Sequence, residues 1–159
     1  MTDELHVSLV AMTTNELAGW LPGALERFIA ERIEAGESPE RASSIATSQR
    51  DMSFPGGAPA PGHHVLHVVD GEELIGALWV CPGFAPESSE RYVFLVELDE
   101  AHHGADALGA TIQAAETWAA AEGATRLALN VFGPNARAQA AFEELGYVVA
   151  ATSMFKPLE

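Results

Sequence analysis

The sequence predicts a single domain of the α/β (α+β) class, in which one sheet is flanked by about four helices. Two observations predict it. Short apolar runs typical of strands alternate with longer stretches whose apolar residues recur at helical spacing. The 159 residues, 48% of them hydrophobic, suffice for one core and are too few for two ordinary domains. We therefore expect one domain over residues 1–159.

Capping signals predict the first two helices. Residues 13–16, Thr-Thr-Asn-Glu, have the spacing of a capping box, and the amphipathic helix that they open ends near Gly36. Ser38 and Pro39 then supply an N-cap and a first-turn proline, which open a second helix that reaches about Gln49.

Turn residues divide the rest of the chain. Asp70-Gly71 lies between two apolar runs and predicts a β-hairpin. Gly123 and Gly146 are placed to end two further helices. The predicted strands are His6–Ala11, His63–Val69, Leu74–Cys81, Tyr92–Leu98, Arg126–Val131 and Tyr147–Lys156, and the two further helices are Ala107–Glu122 and about Asn135 to Leu145.

The composition disfavours several classes of partner. Eight basic residues against 23 acidic ones give a net charge of −15, which disfavours binding to nucleic acid or to an anionic membrane. No apolar run approaches the roughly 20 residues of a membrane span, and the N-terminus lacks the basic and apolar regions of a signal peptide. Because Cys81 is the single cysteine, no internal disulfide can form. We expect a cytoplasmic protein with a small-molecule substrate.

The segment Asp99–Gly109 has the layout of an anion-binding loop but not its residues. A strand that runs through a glycine-containing turn into a helix presents free backbone N–H groups to an anion. Here Asp106 and Leu108 occupy the centre of the turn, and no Lys or Arg lies between Arg91 and Arg126. Asp106 is predicted to be an N-cap or a first-turn acid. Either position weakens the binding of an anion.

Three histidines near the second strand do not predict a metal site. Strand alternation places His64 on the face opposite His63 and His67. Residues four apart along a strand are roughly 13 Å apart, too far to share one ion. We therefore predict no metal.

Two motifs late in the chain carry a resemblance to a known family. The stretches Asn130–Asn135 (Asn-Val-Phe-Gly-Pro-Asn) and Ala141–Tyr147 (Ala-Phe-Glu-Glu-Leu-Gly-Tyr) follow a strand, loop, helix and strand. In this order they resemble the GCN5-related N-acetyltransferase (GNAT) superfamily, and the resemblance covers essentially the whole chain. The N-terminal half, with Glu31–Gly36 and Pro61–His64, resembles a group of such proteins common in actinobacteria.

The resemblance implies a mixed, mostly antiparallel sheet that is splayed between its fourth and fifth strands. Acetyl-CoA lies in that gap, and the acceptor amine lies on the other side. The implied cofactor-binding residues are Val96, Leu98, His103, Gly104 and Asn135. A homodimer is also possible on this basis, since many relatives dimerise.

The family's pyrophosphate loop reads Arg/Gln-x-x-Gly-x-Gly/Ala, and this chain departs from it at three positions. His103 takes the basic position, and Asp106 and Leu108 replace the two glycines. The resemblance therefore implies a degenerate loop, with weak acetyl-CoA binding or no cofactor at all.

The resemblance also suggests the residues of the reaction site. Glu97 matches a glutamate that often serves as the general base, although a solvent-facing carboxylate on a half-buried strand is an equal alternative. Phe142 stands where many relatives have a tyrosine that protonates the leaving thiolate. Trp79, Phe94 and Phe132 are the predicted walls of the substrate pocket.

Three functions follow from these residues. The first is a repurposed small-molecule enzyme with weak or no acetyl-CoA use and Glu97 as the candidate base. The second is a conventional acetyl-CoA-dependent N-acetyltransferase of a small amine, and the third is a non-catalytic ligand-binding protein. Asp106, the missing cations and Phe142 favour the first. Fold alone cannot choose among them, because one fold hosts many functions.

Overall fold

The computed structural model describes residues 4–83, 89–102, 104–131 and 135–158. None of the helices in these ranges is long and apolar enough to cross a membrane. Single 3₁₀ turns lie at Pro55–Gly57 and Glu100–His102. The main elements are β1 (Val7–Ala11), α1 (Thr14–Glu34), α2 (Pro39–Ser53), β2 (His64–Asp70), β3 (Glu73–Pro82), β4 (Glu90–Leu98), α3 (Ala105–Ala121), β5 (Arg126–Leu129) and α4 (Ala136–Glu144).

The five strands form one sheet in the order β1-β2-β3-β4-β5. The first four pair antiparallel, and β5 pairs parallel to β4. The β4 to β5 ladder ends at Val93 and Leu129, so residues 94–98 have no partner strand on that side among the described residues. This is the predicted splay, and the mixed, mostly antiparallel sheet is confirmed.

A β-bulge in β4 sets which residues face the site. Trp79 pairs with Leu95 but Val80 pairs with Val93, so Phe94 is one extra residue in β4. Phe94 and Leu95 consequently both pack on the α1 side of the sheet, whereas Val93 packs on the opposite side. The bulge thereby also turns the side chain of Glu97 toward α1.

The predicted caps open both N-terminal helices. In α1, the Glu16 N–H donates to Thr13 Oγ1 at 3.2 Å, and the Thr13 N–H donates to Glu16 Oε1 at 2.9 Å. In α2, the Arg41 N–H donates to Ser38 Oγ at 3.2 Å, and Pro39 occupies the first turn. The second helix continues to Ser53, four residues beyond the predicted end.

The sheet has a hydrophobic core on each face. On one face α3 packs against β1, β4 and β5. The buried residues of this core include Leu66, Val68, Leu78, Val80, Val93 and Ala115. On the other face, residues of α1 and the segment after α2 cover the sheet, and the buried residues are Leu17, Leu21, Phe54, Val65 and Trp79.

The predicted last strand, Tyr147–Lys156, is wrong. Residues 147–158 belong to no strand, and most of their large apolar side chains are exposed. A strand needs a partner edge as well as apolar residues. At the start of the segment, the Tyr147 hydroxyl donates to Glu116 of α3 at 2.9 Å. Farther along, the ring of Phe155 lies so close to Gly36 that an added Cβ there would collide with it.

The hydrogen bond between Trp79 and His63 predicts a loss of stability in mild acid. The indole N–H of Trp79 donates to His63 Nδ1 at 3.2 Å, which requires an unprotonated Nδ1. Burial, with repulsion from His64, lowers the pKa of His63. The unfolded chain therefore binds a proton first as the pH falls, and stability is lost below about pH 6.5. We expect His63→Gln to flatten the decline of Tm between neutral and acidic pH, and an unchanged decline would contradict this explanation.

Candidate active site

The splay between β4 and β5 opens into a cavity of about 800 Å³. One end, here called the acidic end, is formed by the carboxylates of Glu31, Glu34 and Glu97. The other, here called the loop end, is formed where α3 begins at Gly104 and where α4 packs through Phe142. One continuous space therefore joins a cation-attracting region to a helix N-terminus.

The predicted base, Glu97, forms a two-pronged ion pair with Arg27 of α1. Arg27 Nη2 donates to Glu97 Oε1 at 2.9 Å, and Arg27 Nε donates to Glu97 Oε2. The glutamate side chain is 23% exposed and the arginine 54%. Such a pair adds little stability near the surface, but its bidentate geometry fixes the carboxylate. Sequence reasoning missed Arg27, which lies 70 residues before its partner.

A second carboxylate that the sequence analysis missed is Glu31. It lies one helical turn after Arg27 on α1 and lines the same cavity as Glu97. Desolvation, followed by repulsion from Glu97 and Glu34, raises its pKa. The sequence signal for Glu31 is its spacing of three residues from Phe28 and four from Arg27, which places all three on the same side of the helix.

Phe94, predicted as a wall of the substrate pocket, lines the cavity with its ring. Its ring centroid lies 5.2 Å from that of Phe28 and 4.1 Å from that of Trp79. Trp79, also predicted as a wall, is fully buried behind Phe94 and is not among the described residues that line the cavity. Phe54 and His63 flank the ring of Trp79, so this ring packs in the core. Phe132 lies outside the described residues.

The loop end leaves the first turn of α3 open. Gly104 is the N-cap, no side chain in the described part of the chain caps the helix, and an added Cβ at Gly104 would meet nothing within 4 Å. Asp106 is an exposed acid of the first turn, one of its two predicted positions. Leu108 lines the cavity. His103 lies outside the described residues.

The other predicted cofactor-binding residues lie along the same cavity. Val96 and Leu98 line it on the stretch of β4 that β5 leaves unpaired. Asn135 also lines it, but its side-chain oxygen accepts from the Ala138 N–H at 3.1 Å as the cap of α4. Phe142 is buried beside the cavity and has no proton to donate.

The histidines of the second strand have separate partners. His63 accepts from Trp79, His67 pairs with Glu16 at 2.9 Å, and the ring of His64 packs on Trp118 at 4.9 Å. Their side chains therefore do not converge on one point.

A cluster that the sequence analysis did not predict lies just beyond β4. Glu73, Asp99 and His102 each bring one potential ligand atom within 4.8 Å of the others. His102 Nδ1 lies 2.7 Å from Asp99 Oδ1, and this hydrogen bond raises the pKa of His102. Glu73 lies farther away, with its Oε2 4.0 Å from His102 Nε2, so a hydrogen bond joins only His102 and Asp99.

The backbone of this cavity fits an extended, partly anionic ligand such as acetyl-CoA. The free edge of residues 94–98 can hydrogen-bond a peptide-like arm, and the open N–H groups of the α3 first turn can face an anion. The side chains fit less well. The Asp106 carboxylate lies in that first turn, and no Lys or Arg lies between Arg91 and Arg126.

Comparison with known proteins gives a consistent result. The acetyltransferase (GNAT) family matches residues 21–147. The chain is 25% identical to the uncharacterized N-acetyltransferase YdgE of Bacillus subtilis (strain 168), over 95% of this chain and 98% of that one.

Two solved structures show the same fold. The crystal structure of YycN from Bacillus subtilis has a TM-score of 0.86 at 24% identity, and covers 97% of this chain and 99% of that one. The aminoglycoside N-acetyltransferase AAC(6')-Iy, solved in complex with CoA, has a TM-score of 0.58 at 12% identity, covering 99% and 98%. Because the family match spans most of the sequence, this chain belongs to the acetyltransferase (GNAT) family.

Proposed function

We propose that the chain transfers the acetyl group of acetyl-CoA to a small, positively charged amine, and that it holds the pyrophosphate of acetyl-CoA weakly. The observation that carries the proposal is the single cavity at the splay, which joins the acidic end to the open backbone of β4 and α3. The relative YdgE is named an N-acetyltransferase, and AAC(6')-Iy was solved with CoA, which supports an acyl donor of this kind.

When bound, acetyl-CoA supplies the acetyl group as a reactive thioester. The unpaired backbone at Val96 and Leu98 would hold its pantetheine arm, and the N–H groups that follow Gly104 would face its pyrophosphate. These contacts come from backbone groups, so they do not depend on the side chains that the loop has lost.

The loop side chains weaken the pyrophosphate contact. A carboxylate about 4 Å from a phosphate charge costs about 4 kcal/mol at an effective dielectric constant near 20, whereas a helix terminus returns about 0.3–1 kcal/mol. The Asp106 carboxylate is exposed and screened, which reduces this cost. The loop itself has no cation between Arg91 and Arg126 to offset the rest, and the cavity wall of α4 offers one, Arg137. We therefore propose that binding energy comes mainly from the pantetheine arm.

The acidic end selects the acceptor. Glu31, Glu34 and Glu97 line it; Arg27 pairs with Glu97, and Arg32, which also lines the cavity, pairs with Glu37. A protonated amine is attracted there, and the ring of Phe94 offers an apolar surface for the rest of the molecule. Phe142 is buried and has no transferable proton, so its role there is packing.

A second candidate function is a small-molecule enzyme that does not use acetyl-CoA. Asp106 and Leu108 favour it, because both stand where an anion-binding loop needs small, uncharged residues. A non-catalytic binding protein would share this absence of acetyl-CoA use. Titration with acetyl-CoA separates both of these alternatives from the proposed function.

Calorimetric titration with acetyl-CoA tests the proposal. We expect binding with a Kd well above the low micromolar range, and we expect Asp106→Asn to tighten it about tenfold, which corresponds to about 1.4 kcal/mol. Glu122→Gln, at the opposite end of α3, removes the same charge away from the loop and should leave the affinity unchanged.

An amine panel completes the test. Wild-type protein mixed with acetyl-CoA and small primary amines should release thiol with cationic amines and not with neutral amides. A low micromolar Kd would contradict the weak pyrophosphate contact. If acetyl-CoA binds neither wild type nor Asp106→Asn and no amine is acetylated, the proposed function is wrong and the second candidate gains support.

A further inference from the structure

We infer that Glu31, and not Glu97, accepts the proton of the acceptor ammonium, while Arg27 holds Glu97 beside it as a fixed negative charge. The inference rests on the proposed function and names the residue that performs its proton transfer. It differs from the role that the resemblance implied for Glu97.

Glu97 is poorly placed to accept a proton. Both of its carboxylate oxygens already accept N–H bonds from the Arg27 guanidinium. A proton on either oxygen would break one prong of this bidentate pair and leave part of the guanidinium without its partner. Both oxygens of Glu97 are therefore already engaged, so its carboxylate attracts a cation but offers no free oxygen to the proton.

Glu31 has the opposite environment. No hydrogen bond or ion pair joins its carboxylate to another residue in the part of the chain that the structure describes, and it lines the same cavity as Glu97. Desolvation and two neighbouring carboxylates raise the pKa of Glu31. A carboxylate whose pKa is moved toward the working pH is the better general base.

The charged groups around Glu31 come from three elements. Arg27, Arg32 and Glu34 lie on α1, Glu97 and the titratable Tyr92 lie on β4, and the cavity wall of α4 adds Arg137 and Glu144, whereas α2 contributes the uncharged Ile45 and Gln49. Arg32 is ion-paired with Glu37 on the chain segment between α1 and α2.

The proton moves from the acceptor ammonium to the Glu31 carboxylate within the acidic end. One N–H bond of the ammonium breaks, its electron pair stays on nitrogen as the nucleophilic lone pair, and a new O–H bond forms on Glu31. The amine becomes neutral and Glu31 becomes a neutral carboxylic acid. Because the Glu31 residue is exposed at the cavity, the proton can then leave to water.

NMR titration of the glutamate side-chain carboxyl carbons tests the inference without any substrate. We expect the Glu31 carboxyl to titrate above the ordinary glutamate value of about 4.3. The pKa of Glu31 should fall in Glu97→Gln, because one repelling charge is removed, and stay unchanged in Glu26→Gln. Glu26 lies on the same helix but does not line the cavity. A Glu31 carboxyl that titrates at or below the ordinary value would overturn the inference.

Kinetics with an amine from the panel separate the two carboxylates. Glu31→Gln should lower kcat about 10²–10⁴-fold with little change in KM and remove the acidic limb of the pH profile. Glu97→Gln should mainly raise KM. The reverse pattern would overturn the inference while leaving the acetyltransferase function standing. A wild-type protein that acetylates no amine would instead overturn the proposed function and this proton transfer with it.

Discussion

Trp79→Ala will lower the free energy of unfolding by about 3–5 kcal/mol, the cost of truncating a large buried aromatic side chain. The indole is fully buried and packs between Phe54 and Phe94, with ring centroids at 4.8 Å and 4.1 Å. Its removal leaves a cavity that rigid β-strand neighbours cannot fill, and it also removes the hydrogen bond to His63. Urea denaturation at neutral pH measures the change.

Trp20→Ala is the matched control, because Trp20 packs at the edge of the same cluster and is only partly buried. We expect a clearly smaller loss of stability from it. Equal losses in the two variants would show that Trp79 does not hold this core together. A changed slope of unfolding free energy against urea would indicate an altered unfolded state rather than a cavity.

Gly76→Ala will destabilise the fold by about 3 kcal/mol, at the upper end of the cost of overpacking. A Cβ at Gly76 would collide with the carbonyl oxygen of Glu97 and lie 3.0 Å from the Cα of Leu98, so backbone must move. The shift would also pull Glu97 away from Arg27. We therefore expect the variant to show a raised KM for the amine even at temperatures where it is folded.

Gly19→Ala is the control for this substitution. Gly19 lies within α1, and an added Cβ there meets nothing within 4 Å. Alanine should raise stability by about 0.5–1 kcal/mol, because glycine is a poor helix former. If Gly76→Ala raises the thermal stability as Gly19→Ala does, the close approach of β3 and β4 at Gly76 does not contribute to stability.

Local signals allowed most of the fold to be predicted. The start of α1 follows from the Thr13 capping box, and the turn after β2 from Gly71, whose φ of 63° suits glycine. These features depend on residues within a few positions of one another. The last strand was wrong because a strand exists only if another edge pairs with it, and residues 147–156 carry the pattern without that partner.

The candidate site was predictable only in part. The resemblance drew attention to Glu97 and Phe94, which line the cavity. It could not reveal the contact of Glu97 with Arg27, because a charged residue on an amphipathic helix has the same pattern whether it faces solvent or a strand. Glu31 was missed for the same reason.

The bulge at Phe94 makes the length of β4 as important as its residues. Successive strand residues point to opposite faces, and the bulge absorbs one extra residue, so the side chains after it keep the faces of their partners on β3. Loss of Phe94 would leave Val93 opposite Val80 and Leu95 opposite Trp79, and Glu97 would still face α1. Loss of Val96, beyond the bulge, would instead carry Glu97 to the face covered by α3, with its chemical identity unchanged. Substitutions across β4 can therefore be tolerated one by one, whereas a single-codon deletion between the bulge and Glu97 would exchange the reaction site for core.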